Sequence, residues 1–282
     1  MDKRAWRRFR KNKGALVGAI LVGIITGLAF IGPYIAPFDP NQQFRDEGLD
    51  EQGAPVAPNR MFLLGADPIG RDQLSRLLHG GRISLQVAFF ATLLATAIGL
   101  FIGITAGYFG GMIDSLSMRG VDLLLSLPFL IIAIAIKRVI ARPDLWTLYL
   151  LLGFLSWTTL ARIVRAKTIQ IREQEFILAT HALGMSHARI LVRHVLPNVL
   201  GPTIVIATTM VAQMIIVESA MSFLGLGVEP PQASWGSMLH DAQEMLAHFP
   251  RLAVQPGLLI LATVFGFNLL GEGLRDALDP NS

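Results

Sequence analysis

The sequence predicts an all-α integral membrane protein with six transmembrane helices. Hydrophobic residues make up 52% of the chain against 16% charged, and the mean hydropathy is +0.53. That balance belongs to chains that bury apolar surface in lipid as well as in a core. Two runs, Gly14 to Phe38 and Ile83 to Ile113, contain no Asp, Glu, Lys or Arg, and each exceeds the roughly 20 residues a helix needs to cross the hydrocarbon layer. Cysteine is absent, which excludes a disulfide scaffold, a thiolate zinc site and a cysteine nucleophile.

The first run follows the basic stretch "DKRAWRRFRKNK". It lacks the short apolar core and small-residue cleavage site of a secretory signal, so it reads as an uncleaved first span. Residues 39–82 then form an extracytoplasmic loop. It holds Asp39, Asp46, Glu47, Asp50, Glu51, Asp67 and Asp72 and ends in "RDQLSRLLHGGR", whose Leu74, Leu77 and Leu78 share a helical face. Two readings stand for this loop: a docking surface for a soluble partner, or an interfacial helix with a solvated acidic segment that sets the angle of span two. Ile83 to Ile113 is span two.

Span three lies between Asp122 and Lys137, which bracket only 14 apolar residues including Pro128. Its ends snorkel, and the proline is accommodated by bundle packing. Asp122 reads as a helix end. Leu145 to Ala161 is span four, Val199 to about Phe223 span five, and Leu252 to Gly271 span six. The chain thus divides into a basic N-terminus with the first span (1–38), the outer loop (39–82) and a core of five spans (83–282) containing a polar loop at 166–198.

Six spans put both termini on one side, and that side collects 15 of the 24 Lys and Arg. The positive-inside rule places it in the cytoplasm, although Lys137, Arg138 and Arg142 form an outer cluster against the rule. The net charge of +4 is explained by this topology rather than by a nucleic-acid partner. Trp146, Tyr149 and Trp157 read as belt or packing residues. Gly14 and Gly18, Gly23 and Gly27, and Gly99, Gly103 and Gly107 recur at four-residue spacing, which lets helix backbones approach closely.

Within the cytoplasmic loop, "EFILATHALGMSHARILVRHVLPN" (175–197) is polar between two spans. Ile169, Phe176, Ile177, Ala179 and Leu183 fall near helical spacing. Gly184 permits a left-handed turn, Ser186 caps a second helix, and Pro197 ends that helix before span five. The outcome is helix, turn, helix, serving either as a surface that rests on membrane lipid or as a knob for a soluble partner. Glu218, near the outer end of span five, is a carboxylate at depth and reads as a substrate-path or gate residue or as a buried structural pair. The six histidines show no ligand-like spacing within a span, so no metal site is expected.

These residues resemble a known family, the binding-protein-dependent ABC transporter permeases of the dipeptide, oligopeptide and nickel class. The family's cytoplasmic motif is matched by Ala179, Thr180, Gly184, Leu196 and Pro197. Thr180 stands for the second alanine, Leu178 for a glutamate of the broader superfamily and His194 for an aliphatic residue, while Glu175 keeps an acid one turn earlier. "RRFRKNKGALVG", "LGADPIGRDQLSRLLHGGRISL" and "SFLGLGVEPPQASWG" are similar to segments of the second, C-type permease. The resemblance implies a type I importer permease fold in a bacterial inner membrane. It further implies a paralogous permease as heterodimer partner, two cytoplasmic ATPases on the 175–197 loop and an extracytoplasmic substrate-binding protein. The implied cargo is peptide, with nickel as the alternative.

The sequence agrees with that division of labour. It contains no G-x-x-x-x-G-K-[ST] loop, no H-E-x-x-H and no G-x-S-x-G, so no enzyme activity and no cofactor are expected, and phosphate chemistry comes from a partner. A secondary transporter is the rival reading, with only Glu218 and Pro128 hinting at it.

Overall fold

A computed structural model describes residues 3–140 and 144–278. Among these, every regular element is helical. Helix α1 (Lys3–Lys11) lies against one end of the bundle through Phe9, buried with Ala15 and Ala277, and Trp6 stacks on Phe9 at 5.9 Å. Asn12 separates α1 from α2 (Lys13–Ile35). Its side-chain oxygen accepts from the Ala15 amide at 3.1 Å, and its amide nitrogen donates to Asp276 at 2.9 Å, tying the two ends of the chain together.

The loop at 39–82 is a folded cap rather than a solvated acidic segment. Phe38, Phe44 and Phe62 form an aromatic cluster with centroids 4.9–5.7 Å apart, and Phe62 is fully buried beside the short α3 (Arg45–Gly48). The acids divide by job. Asp39, Asp46, Glu47, Asp50 and Glu51 are exposed, whereas Asp67 and Asp72 are buried. Asp67 closes a turn by accepting from the amides of Ile69 and Arg71, and Asp72 caps α4 by accepting from the Ser75 amide and hydroxyl.

Helix α4 (Gln73–Phe109) is one unbroken element. The leucine-bearing segment read from sequence as a separate interfacial helix is therefore the first three turns of span two. Gly80 and Gly81 do not interrupt it because α4 is pressed there against Ser234 and Trp235. A Cβ on Gly81 would lie 2.7 Å from the Trp235 ring, so packing offsets glycine's poor helix propensity.

Gly110 and Gly111, both at positive φ, turn the chain into α5 (Gly111–Ser126). Span three is not a single helix. It is α5 followed by α6 (Phe129–Val139), bent by 83° at Leu127 and Pro128. Proline pushes its predecessor out of the helical region, and Leu127 accordingly sits at φ −88°, ψ 128°. Asp122 is inside α5 rather than at a helix end, paired with Arg162, and Asp114 pairs with Arg165. Arg142 of the expected outer cluster lies outside the described residues, and for Lys137 and Arg138 the backbone alone is described.

Asp144 caps α7 (Leu145–Arg172), accepting from the Thr147 amide at 2.9 Å and hydroxyl at 2.8 Å, and these bonds hold its carboxyl below the usual carboxylate range. Helix α7 runs eleven residues beyond the expected end of span four. It packs along α4 through the glycine row: a Cβ on Gly103 would lie 2.7 Å from the Ala161 carbonyl oxygen, and one on Gly107 2.7 Å from that of Arg165. Gly23 and Gly27 face no neighbouring atom within 4 Å. Trp146 is 65% exposed, whereas Tyr149 and Trp157 are buried in packing.

The remainder comprises α8 (Glu175–Ala182), α9 (His187–Ile190), α10 (Leu196–Phe223), α11 (Trp235–Asp241) and α12 (Arg251–Leu278). Among the described residues, five helical segments are long and apolar enough to span a membrane, and the count reaches six if the bent α5–α6 pair crosses as one broken span.

Candidate functional site

The polar loop builds from the end of α7. The chain leaves α7 at Glu173 and Gln174, so the single amphipathic helix expected across 169–183 is two helices with a break between them. Ile177 is fully buried and anchors α8, with Glu175 exposed in its first turn, where a carboxylate complements the positive helix end. Thr180 donates its hydroxyl to the Ile177 carbonyl at 2.7 Å.

At the other end of α8, Gly184 sits at φ +75°. The Met185 amide donates to the Thr180 carbonyl at 3.1 Å and the Gly184 amide to that of His181 at 2.9 Å. This pair of bonds is the Schellman arrangement, which ends a helix at a left-handed residue. Thr180 and Gly184 thus belong to one turn. Ser186 occupies the N-cap position of α9, but its side chain makes no capping bond.

Pro197 does not end the second helix. A π-helical stretch, Leu191–Val195, joins α9 to α10, with the Leu196 amide donating to the Leu191 carbonyl. The wider turn accommodates the missing proline N–H, and the helix runs from His187 to Phe223. Ile190 and Val195 are fully buried, while Leu196 is half-buried and Pro197 exposed. Ala179 is exposed, and Leu178, Leu183 and Val192 are 58%, 82% and 66% exposed. The result is an uncovered apolar surface on an otherwise polar loop.

Tyr108 was missed by sequence reasoning. Its hydroxyl lies 3.2 Å from His181 Nε2 and 2.9 Å from His187 Nδ1, and its carbonyl accepts from Arg172 Nη1 at 3.1 Å. No local signal announces contacts across 64 to 79 residues.

Glu218 is placed in a second region, near the opposite end of α4. It is 1% exposed, and its carboxylate accepts from Ser222 at 2.7 Å and Ser84 at 3.1 Å. Ser84 in turn accepts from the Trp235 amide at 3.1 Å. Glu218 therefore links α4, α10 and α11 through serines. Next to it, Arg71 and Arg76 pair with Asp67 and Asp241 at 2.6–3.3 Å, joining the cap to α11. Arg76→Met is expected to cost about 3 kcal/mol, the scale of breaking a buried ion pair. The check is a thermal melt in detergent together with protease sensitivity of the cap; a wild-type melting temperature would show that the network carries no stability.

Comparison with known proteins gives this geometry its context. Residues 99–282 match the family "Binding-protein-dependent transport system inner membrane component", and residues 3–53 match "N-terminal TM domain of oligopeptide transport permease C". The dipeptide transport system permease protein DppC of Bacillus subtilis is 40% identical over 98% of this chain and 84% of its own length. The Haemophilus influenzae protein of the same name is 36% identical over 98% and 93%, and the Pseudomonas aeruginosa di/tripeptide transport system permease protein DppC is 37% identical over 99% and 91%. Among solved structures, an inward-facing MetNI methionine ABC transporter chain superposes with a TM-score of 0.59 over 72% of this chain and 96% of that one, at 19% identity. That likeness supports the type I importer permease fold. The chain belongs to the binding-protein-dependent transport system inner membrane components, the multi-pass permease subunits of ABC importers, in which ATP is hydrolysed by a separate subunit.

Proposed function

We propose that this chain forms half of the translocation pathway of an ATP-driven importer of di- or oligopeptides. The observation that carries the reading is the turn at Gly184, which presents exposed Leu178 and Leu183 on a polar loop anchored by Ile177 and joined at both ends to long spanning helices. The peptide cargo follows from the names of the relatives, which disfavour nickel. Both termini and the loop lie in the cytoplasm, in keeping with the positive-inside rule.

In this reading a paralogous permease completes the pathway, and two ATPases dock on the loop through Glu175, Ala179, Thr180, Gly184, Leu196 and Pro197. The binding protein delivers cargo to the outer face. Residues 1–38, 39–82 and 83–282 act as anchor, outer cap and pathway core. ATPase closure moves the loop and, with it, α7 and α10. Glu218 serves the outer gate by holding α10 against α4 and α11 through Ser84 and Ser222.

Reconstitution of the chain with its paralogue, ATPases and binding protein tests the proposal. Labelled dipeptide is expected to accumulate only with ATP and binding protein, and nickel is not. Uptake that follows an ion gradient without any ATPase would replace the importer by a secondary transporter.

A further inference from the structure

We infer that Tyr108 is a positioning residue that locks the two helices of the polar loop to α4, so that a push on the loop reaches α4 instead of being absorbed by bending at Gly184. The inference rests on the coupling role proposed for that loop. Three contacts carry it. The phenol oxygen lies between His181 of α8 and His187 of α9, on either side of the turn, at 3.2 and 2.9 Å. The ring stacks on His181 at 6.1 Å and meets His187 edge-on at 5.7 Å. The Tyr108 carbonyl accepts from Arg172, in the last turn of α7.

One residue at the end of α4 therefore touches all three segments of the hairpin. A phenol carries one proton and two lone pairs, so it can donate to one imidazole nitrogen while accepting an N–H from the other. A bare ring nitrogen on one histidine and an N–H on the other meet both demands. Phenylalanine would keep the ring contacts and lose both bonds.

What α4 does at its far end gives the lock its significance. Helices α7 and α10 are joined to the loop through the chain itself, but α4 is not. It is nonetheless the helix that carries Ser84 against Glu218 and Arg76 against Asp67 and Asp241. At 1.5 Å per residue, Tyr108 stands about 36 Å along the helix from Ser84 and about 48 Å from Arg76. An unbroken helix transmits axial displacement over that length, so the Tyr108 bridge connects the loop to the outer network without passing through the bent α5–α6 pair.

The test uses the assembled importer carrying Tyr108→Phe, Tyr108→Ala or Gly184→Val, with uptake and ATP hydrolysis measured in the same proteoliposomes and hydrogen exchange followed over residues 180–190. Tyr108→Phe is expected to keep the ATPases bound, to lower peptide uptake per ATP roughly tenfold, the scale of one net hydrogen bond, and to speed amide exchange in α8 and α9. If Gly184→Val abolishes uptake while Tyr108→Phe leaves both readouts at wild type, the lock is overturned and the coupling loop stands. A defect in Tyr108→Ala alone would assign the contact to ring packing and overturn the hydroxyl bridge. If Gly184→Val also transports normally, the coupling reading itself fails.

Discussion

Gly184→Val is expected to abolish uptake and release the ATPases while leaving membrane insertion intact. The reason is confined to the backbone. At φ +75° a β-branched residue is strained, at a cost on the order of 1–3 kcal/mol, whereas no atom lies within 4 Å of the position its Cβ would take. Relief of the strain comes from leaving the left-handed region, which breaks the Met185-to-Thr180 and Gly184-to-His181 bonds and re-aims α9 relative to α8. Gly184→Asn supplies the control, since asparagine tolerates that region better than other side chains, and it should retain most activity. Co-purification of the ATPases from mild detergent is the measurement, and a fully active valine variant would remove the turn from the mechanism.

Gly103→Leu should fail earlier, at folding. The added Cβ would stand 2.7 Å from both the Ala161 carbonyl oxygen and Val164 Cβ. The first obstacle is backbone and cannot rotate away, so α4 and α7 must separate along the glycine row. Overpacking a close-fitted contact costs about 1–3 kcal/mol per intrusion, and here the contact joins the two longest-packed helices of the bundle. Gly23→Leu offers the contrast, because its position faces open space. Thermal melts in detergent should show a lowered transition for Gly103→Leu and almost none for Gly23→Leu; coincident curves would mean that α4 and α7 do not pack this way.

Most of the span architecture is legible in the sequence, because a bilayer imposes length and the absence of charge on each segment locally. Gly184 is legible for the same kind of reason: a glycine after an apolar helical run marks a turn whatever surrounds it. What escapes is whatever depends on distant residues. Arg162 and Arg165 look like cytoplasmic cations until α5 brings Asp122 and Asp114 to them. Pro197 looks like a terminator until the preceding π turn absorbs it. Asp67 and Asp72 are indistinguishable by type from the exposed acids of the cap, and only the Phe62 cluster and the start of α4 separate them. Glu218 is visible as a deep carboxylate, but its partners Ser84 and Ser222 come from two helices and 134 residues separate it from the first.

The cap is held in place by Arg251, the first residue of α12, whose guanidinium donates to the carbonyls of Pro55, Val56, Leu64 and Ala66 at 2.8–3.3 Å. With its carbonyls gathered by one cation, the cap is a ledge rather than a flap, fixed to the first turn of α12. A soluble partner docking there would meet a surface already shaped. Such a partner would lose little free energy to ordering the loop.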